Sequence, residues 1–326
     1  MPETTAVAPT ADPGAHPIGR RQILLAAPRS FCAGVERAID VVERAIDRYG
    51  APVYVRRQIV HNTHVVQDLE TKGAVFVEEL DQVPDGSVVV LAAHGVTPEV
   101  RADADRRGLF AIDATCPLVA KVHREARRYA DGGYAIVLVG HPDHEEIIGT
   151  VGEAPAQTHV VERVSDVANL SIAADSRVAY ITQTTLATDE TEEIVAALHQ
   201  RFPTLEGPRA DDICYATQNR QDAVRAIAAE CEVILVVGSR NSSNSNRLVE
   251  VAIRAGCRAY LIEDETELES SWVAGASTVG VTAGASAPEA IVGRVVDALG
   301  QLGPYDLVER LHVTEAVRFT LPPEVR

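Results

Sequence analysis

The feature that most restricts the fold of this chain is an alternation of short, almost wholly apolar runs with longer stretches of helical periodicity. The runs are Gln22–Ala27, Val53–Val60, Ser87–Ala92, Ala135–Gly140, Arg177–Thr182, Glu232–Val237 and Ala259–Ile262. A strand that is apolar on both faces must be covered on both faces, as in a parallel sheet flanked by helices. Between the runs, Val35, Ala38, Ile39 and Val42 recur at i, i+3, i+4 and i+7, and so do Val224, Ile227, Ala228 and Cys231. The pattern predicts an α/β protein with its polar groups gathered at the carboxyl ends of strands.

A coarser repeat is laid over this one. Gln22–Ala27 leads to Cys32 and a helix, Phe110–Ile112 to Cys116, Pro117 and a helix, and Asp211–Ile213 to Cys214 and a helix. Pro117 suits a first helical turn, where its missing N–H is no loss. The layout divides the chain into three similar α/β lobes, residues 21–115, 116–210 and 211–300, each offering one thiol to a shared centre. Residues 1–20, rich in Ala, Pro and Thr without an apolar signal core, read as a disordered extension, and 301–326 as a C-terminal tail.

Composition narrows the function. A formal net charge of −17 opposes non-specific binding to nucleic acid or an anionic membrane, so neither is expected as a partner. The longest apolar runs, Tyr134–Val139 and Val233–Val237, are too short to span a bilayer, and a cytoplasmic location is expected. Thiols stay reduced there, and five cysteines, an odd number, fit poorly with a disulfide framework.

Cys231 and Cys257 read as small buried hydrophobes. Cys32, Cys116 and Cys214 each stand just ahead of a helix, whose free N–H groups and dipole favour a thiolate. Position alone fits a buried thiol equally well. Three dispersed thiolates with no fourth thiol partner suit an iron–sulfur cluster with one open iron, or a zinc site completed by histidine. With no Cys-x-x-Cys pair, a zinc ribbon is excluded.

His61, His94 and His144 each follow a strand pattern and so face the crevice, where imidazoles suit a phosphate-bearing substrate. Glu146, in His144-Glu145-Glu146, is either part of a solvated acidic turn or an enclosed acid able to donate a proton. The loop Gly238–Arg247 offers hydroxyls, amides and backbone N–H groups in the density expected of a phosphate cradle, without the Gly-x-x-x-x-Gly-Lys of a nucleotide loop. Thr282–Pro288 and Gln183-Thr184-Thr185 are further junctions of this kind.

These segments together resemble the 4-hydroxy-3-methylbut-2-enyl diphosphate reductase family. The resemblance lies in Phe31–Val35, Ile59–Asn62, Ala93–Val96, Asp113–Pro117, Thr182–Leu186, Asp212–Thr217, Asn241–Arg247 and Thr282–Pro288, with Phe319–Arg326 similar to the family's closing segment. It implies a pseudo-threefold trefoil around a 4Fe-4S cluster held by Cys32, Cys116 and Cys214, with one iron left open. It also implies that His61, His94, His144, Thr184, Ser242, Ser243, Asn244 and Ser286 bind the diphosphate substrate, and that Glu146 supplies a proton. The tail 301–326 would pack near the active site, and ferredoxin or flavodoxin would deliver electrons. Where the family usually has His-Pro-Glu, this chain has Glu145 in place of the proline.

Overall fold

The computed structural model describes residues 21–173 and 175–326; the extension expected at 1–20 lies outside the described residues. Strand β1 (Arg21–Ala27) leads to helix α1 (Ala33–Tyr49). Next come β2 (Val53–Arg56), α2 (Thr63–Lys72), β3 (Ala74–Val77), β4 (Val88–Leu91), α3 (Pro98–Arg106) and β5 (Phe110–Asp113). Their strands form a parallel sheet in the order β3-β2-β4-β5.

A second unit contains α4 (Pro117–Asp131), β6 (Ala135–Val139), α5 (Glu145–Glu153), β7 (Thr158–Val161), α6 (Val164–Asn169), β8 (Val178–Thr182) and α7 (Thr188–Arg201). Its parallel sheet runs β7-β6-β8. The third contains α8 (Tyr215–Ala228), β9 (Val233–Val237), α9 (Ser243–Arg254), β10 (Arg258–Ile262), α10 (Ser270–Val273), β11 (Thr278–Ala283), α11 (Glu289–Gln301) and β12 (Tyr305–Leu311).

This third sheet corrects the expected boundaries. Its order is β10-β9-β11-β1-β12, so the strand of residues 21–27 belongs with the last lobe and not with residues 53–113. The segment 301–326 is likewise more than a tail, because β12 completes that sheet beside β1. Beyond it, Leu321 and Val325 pack into the core under α1. The expected strand Val53–Val60 stops at Arg56, because Arg57 takes a left-handed φ of 56° and turns the chain.

The apolar runs are the central strands. All five residues of β9 are buried, and β1, β6 and β11 are nearly so, each covered on both faces by helices. The helical stripes supply the cover. Ala38, Val41, Val42 and Ala45 of α1 pack against β2 and β4, while Ala223, Val224, Ile227 and Ala228 of α8 pack against β1 and β9. Burying each such side chain contributes about 1.5–3 kcal/mol for Val or Ile, which is why short strands suffice.

Candidate active site

Helix starts place the cysteines. Cys32, Cys116 and Cys214 are each the residue immediately preceding a helix, α1, α4 and α8, and Pro117 occupies the first turn of α4 as expected. The Thr217 N–H donates to Cys214 Sγ at 3.4 Å, the helix-cap contact that a thiolate would strengthen. The three thiols line one cleft. A Cβ on Gly34 would fall 2.8 Å from Cys116 Sγ and 3.7 Å from Cys32 Sγ, so only glycine leaves the gap between those sulfurs clear. Burial pushes the Cys116 thiol up to about 12 and that of Cys214 up to about 11. At neutral pH both keep their protons unless a cation displaces them. Among the described residues, no three His, Cys, Asp or Glu side chains are gathered tightly enough to hold a single metal ion.

The same cleft is lined by His61, His94 and His144, by Glu146 and Thr184, and by Ser242, Ser243, Asn244 and Ser286. Every site residue expected from the sequence therefore comes to one place. The rings of His61 and His94 stack at 4.0 Å, and His144 meets both edge-on at 5.5 and 5.8 Å. Burial, and then the neighbouring rings, push His61 down to about 2 and His144 down to about 3, so both are neutral. The Glu146 N–H donates to His144 Nδ1 at 3.1 Å, which makes Nδ1 the acceptor and leaves the His144 proton on Nε2.

Glu146 is 2% exposed, so the solvated-turn reading fails. Its carboxylate accepts from the Thr184 N–H at 2.7 Å and from the Thr184 hydroxyl at 2.9 Å. These bonds favour the anion, yet burial outweighs them and raises Glu146 to about 7. The group is poised to give up a proton at neutral pH. Thr184 also joins this acid to the thiols, since its carbonyl accepts from the Cys214 N–H at 3.0 Å.

Glu145 begins α5, where an acidic residue suits the positive end of the helix dipole as a proline would suit the geometry. Its carboxylate lies 3.5 Å from His94 Nδ1 and 3.8 Å from Arg57 Nη1. The helix start therefore survives the change of residue.

Opposite the histidines, Ser242 caps α9 by accepting from the Ser245 N–H at 3.3 Å. Asn244 Oδ1 accepts from the Ala285 N–H at 2.8 Å, and the Ser286 hydroxyl donates to the His61 carbonyl at 2.9 Å. These bonds lock the loops in place and present the start of α9 to the cleft, an arrangement suited to an anion. A Cβ on Gly284 would sit 2.0 Å from Ser245 Oγ, so glycine permits the two loops to touch. Sequence reasoning missed the role of Thr217, whose hydroxyl meets both Cys214 and Asn244, and placed Thr185 in a polar junction without a role; its hydroxyl donates to Ser243 at 2.9 Å. The three-residue step from Cys214 to Thr217 within one helix turn was the available signal for the first.

Comparison with known proteins bears directly on this cleft. A family profile described as LytB protein matches residues 23–300. The chain belongs to the LytB family. It is 56% identical over 312 residues to 4-hydroxy-3-methylbut-2-enyl diphosphate reductase 2 of Mycobacterium bovis, covering 94% of this chain and 95% of that one. It is 55% identical over 314 residues to the enzyme of the same name from Acidothermus cellulolyticus, covering 96% and 92%. Among solved structures it is similar to the E-1-hydroxy-2-methyl-but-2-enyl-4-diphosphate reductase of Plasmodium falciparum. That likeness has a TM-score of 0.91 at 38% identity and covers 94% of this chain and 97% of the other. The LytB match spans all three cysteine–helix junctions and both polar loops of the cleft.

Proposed function

We propose that this LytB-family chain catalyses the reductive dehydroxylation of 4-hydroxy-3-methylbut-2-enyl diphosphate to isopentenyl and dimethylallyl diphosphate, the last step of the non-mevalonate isoprenoid pathway. The observation that carries the reading is a buried acid, Glu146, poised near neutrality in a cleft that also holds three thiols and an anion cradle. Relatives bearing the reductase name at 55–56% identity support it.

Cys32, Cys116 and Cys214 fit a cluster better than a single ion. The thiols surround a cleft, and Gly34 keeps the space between two sulfurs open. A 4Fe-4S cluster on these three residues would supply electrons singly and a Lewis-acidic iron with a free position.

The chain's own residues do the rest. The start of α9 with Ser242, Ser243 and Asn244, together with Ser286 on the other loop, holds the diphosphate. Neutral His144, with its proton on Nε2, donates to it without a counter-charge. Binding energy from that remote group fixes the allylic hydroxyl beside Glu146. Glu146 protonates the hydroxyl, which leaves as water, and Thr184 holds the carboxyl in line through its two hydrogen bonds. Two electrons and a second proton complete the balance, and the end of the allylic fragment that takes the second proton decides the product. Ferredoxin or flavodoxin is the proposed donor, and the cytoplasm the proposed location; among the described residues no helix is long and apolar enough to cross a membrane.

The test is anaerobic purification with iron and sulfide analysis, followed by a dithionite-driven assay on the diphosphate. Turnover with electrons and none without supports the reductase. Dehydration without a donor would indicate a lyase, and a colourless protein with stoichiometric zinc would reject the cluster.

A further inference from the structure

The first cationic residue on each of the three cysteine-capped helices reaches across to the loop that carries another cysteine. On α1, Arg37 follows Cys32 by five residues and donates from Nη1 to the carbonyls of Ala114 and Thr115 at 3.0 and 3.2 Å, just ahead of Cys116. On α4, Lys121 follows Cys116 by five residues and donates to the carbonyls of Ala210 and Asp211, the latter at 2.9 Å, and to the Asp212 carboxylate at 2.9 Å, just ahead of Cys214. On α8, Arg220 follows Cys214 by six residues and donates to the Ser30 carbonyl at 2.7 and 3.1 Å and to that of Phe31 at 3.3 Å, just ahead of Cys32. The three links run in one sense and close on themselves.

We propose that Arg37, Lys121 and Arg220 form a directional ring of cationic staples that sets the relative positions of the three cysteine loops. They are positioning residues for the metal centre, and this proposal rests on the functional reading above. Each helix fixes its own cysteine through the chain, but nothing covalent fixes one cysteine loop against the next. The staples do that, with donors that saturate loop carbonyls no strand pairs with. Arg220 is 0% exposed, so its charge is spent wholly on protein acceptors, including the Glu315 carboxylate at 3.1 Å. Ser30, whose carbonyl takes two of its bonds, sits at a φ of 60°, a conformation a non-glycine residue holds only when its surroundings enforce it.

The direction of the ring makes it testable. Arg37→Gln, Lys121→Gln and Arg220→Gln are compared with the unmodified full-length chain by hydrogen–deuterium exchange and by the rate of iron release to a chelator, both anaerobically. Each variant is expected to loosen the loop that its side chain staples: 112–116 for Arg37, 209–214 for Lys121 and 28–32 for Arg220. Iron affinity should fall by about 10–100-fold, the range for outer-shell partners of metal ligands. Lys121→Arg should restore both readouts. Exchange that rises uniformly, or in the variant's own preceding loop, overturns the proposal, as does unchanged iron release. If buried Arg220→Gln fails to fold, the half-exposed Arg37 and Lys121 decide the matter. If the unmodified chain holds no iron, the functional reading falls, while the exchange pattern still tests the ring.

Discussion

Replacing Glu146 by Gln separates the chemistry of this site from its construction. Gln is nearly isosteric and can still accept from the Thr184 N–H, while the Thr184 hydroxyl can reverse to accept from the new amide. The fold, the cluster and substrate binding should persist. Loss of a general acid should lower turnover by about 10²–10⁴-fold. In the unmodified chain kcat/KM should fall by about tenfold per pH unit above about 7, where Glu146 loses its proton; in the variant that alkaline limb should vanish. The same shift has a stability consequence of known sign. Below about pH 4.5 the carboxyl is protonated in both folded and unfolded chains. Between about 4.5 and 7 the unfolded chain releases a proton that the folded chain retains, so stability falls as pH rises and the loss is complete above about 7. At 1.36 kcal/mol per pKa unit the loss is on the order of 3 kcal/mol. Urea midpoints at pH 5 and pH 8 should therefore show the unmodified chain losing ground to Glu146→Gln at the higher pH. A variant that turns over normally, or whose stability tracks that of the parent at both pH values, refutes the reasoning.

Cys116→Ser should abolish the cluster absorbance and reduce bound iron and sulfide; full retention would remove Cys116 from the ligand set. Ser243→Ala should weaken binding of the diphosphate substrate by about 1.5–3 kcal/mol, the range for a hydrogen bond to a charged group, with little change in kcat; calorimetry showing unchanged affinity would count against the contact. Gly34→Ala would set a methyl 2.8 Å from Cys116 Sγ, so iron incorporation should drop while the far-ultraviolet circular dichroism stays unchanged.

Much of the site is legible in the sequence because its signals are local. A cysteine before an apolar helical stripe, and Pro117 just after one, mark helix starts without any knowledge of partners. The polar loops after β9 and β11 announce themselves by composition. What is not legible is pairing across distance. Nothing in Arg21–Ala27 says that its neighbours are β11 and β12, and the charged, largely exposed Tyr305–Leu311 carries no strand pattern at all. The early end of β2 depends on a single backbone angle at Arg57. Arg37, Lys121 and Arg220 look like ordinary solvated helix residues until the loops they reach are seen. Glu146 could be read either way until its burial was known.

The insertion of β1 between β11 and β12 has a consequence for how the molecule is made. The sheets spanning 53–113 and 135–182 are each closed by nearby sequence, and can form as those residues leave the ribosome. The strand at 21–27 waits for partners roughly 250 residues downstream, a delay of roughly ten to fifty seconds at ordinary rates of translation. Throughout that interval an apolar segment stays unpaired, and Cys32, directly behind it, has no fixed address. Two of the three thiol-bearing loops belong to units that finish late, so the cleft should be assembled after synthesis ends, on a chain whose other two sheets have already formed.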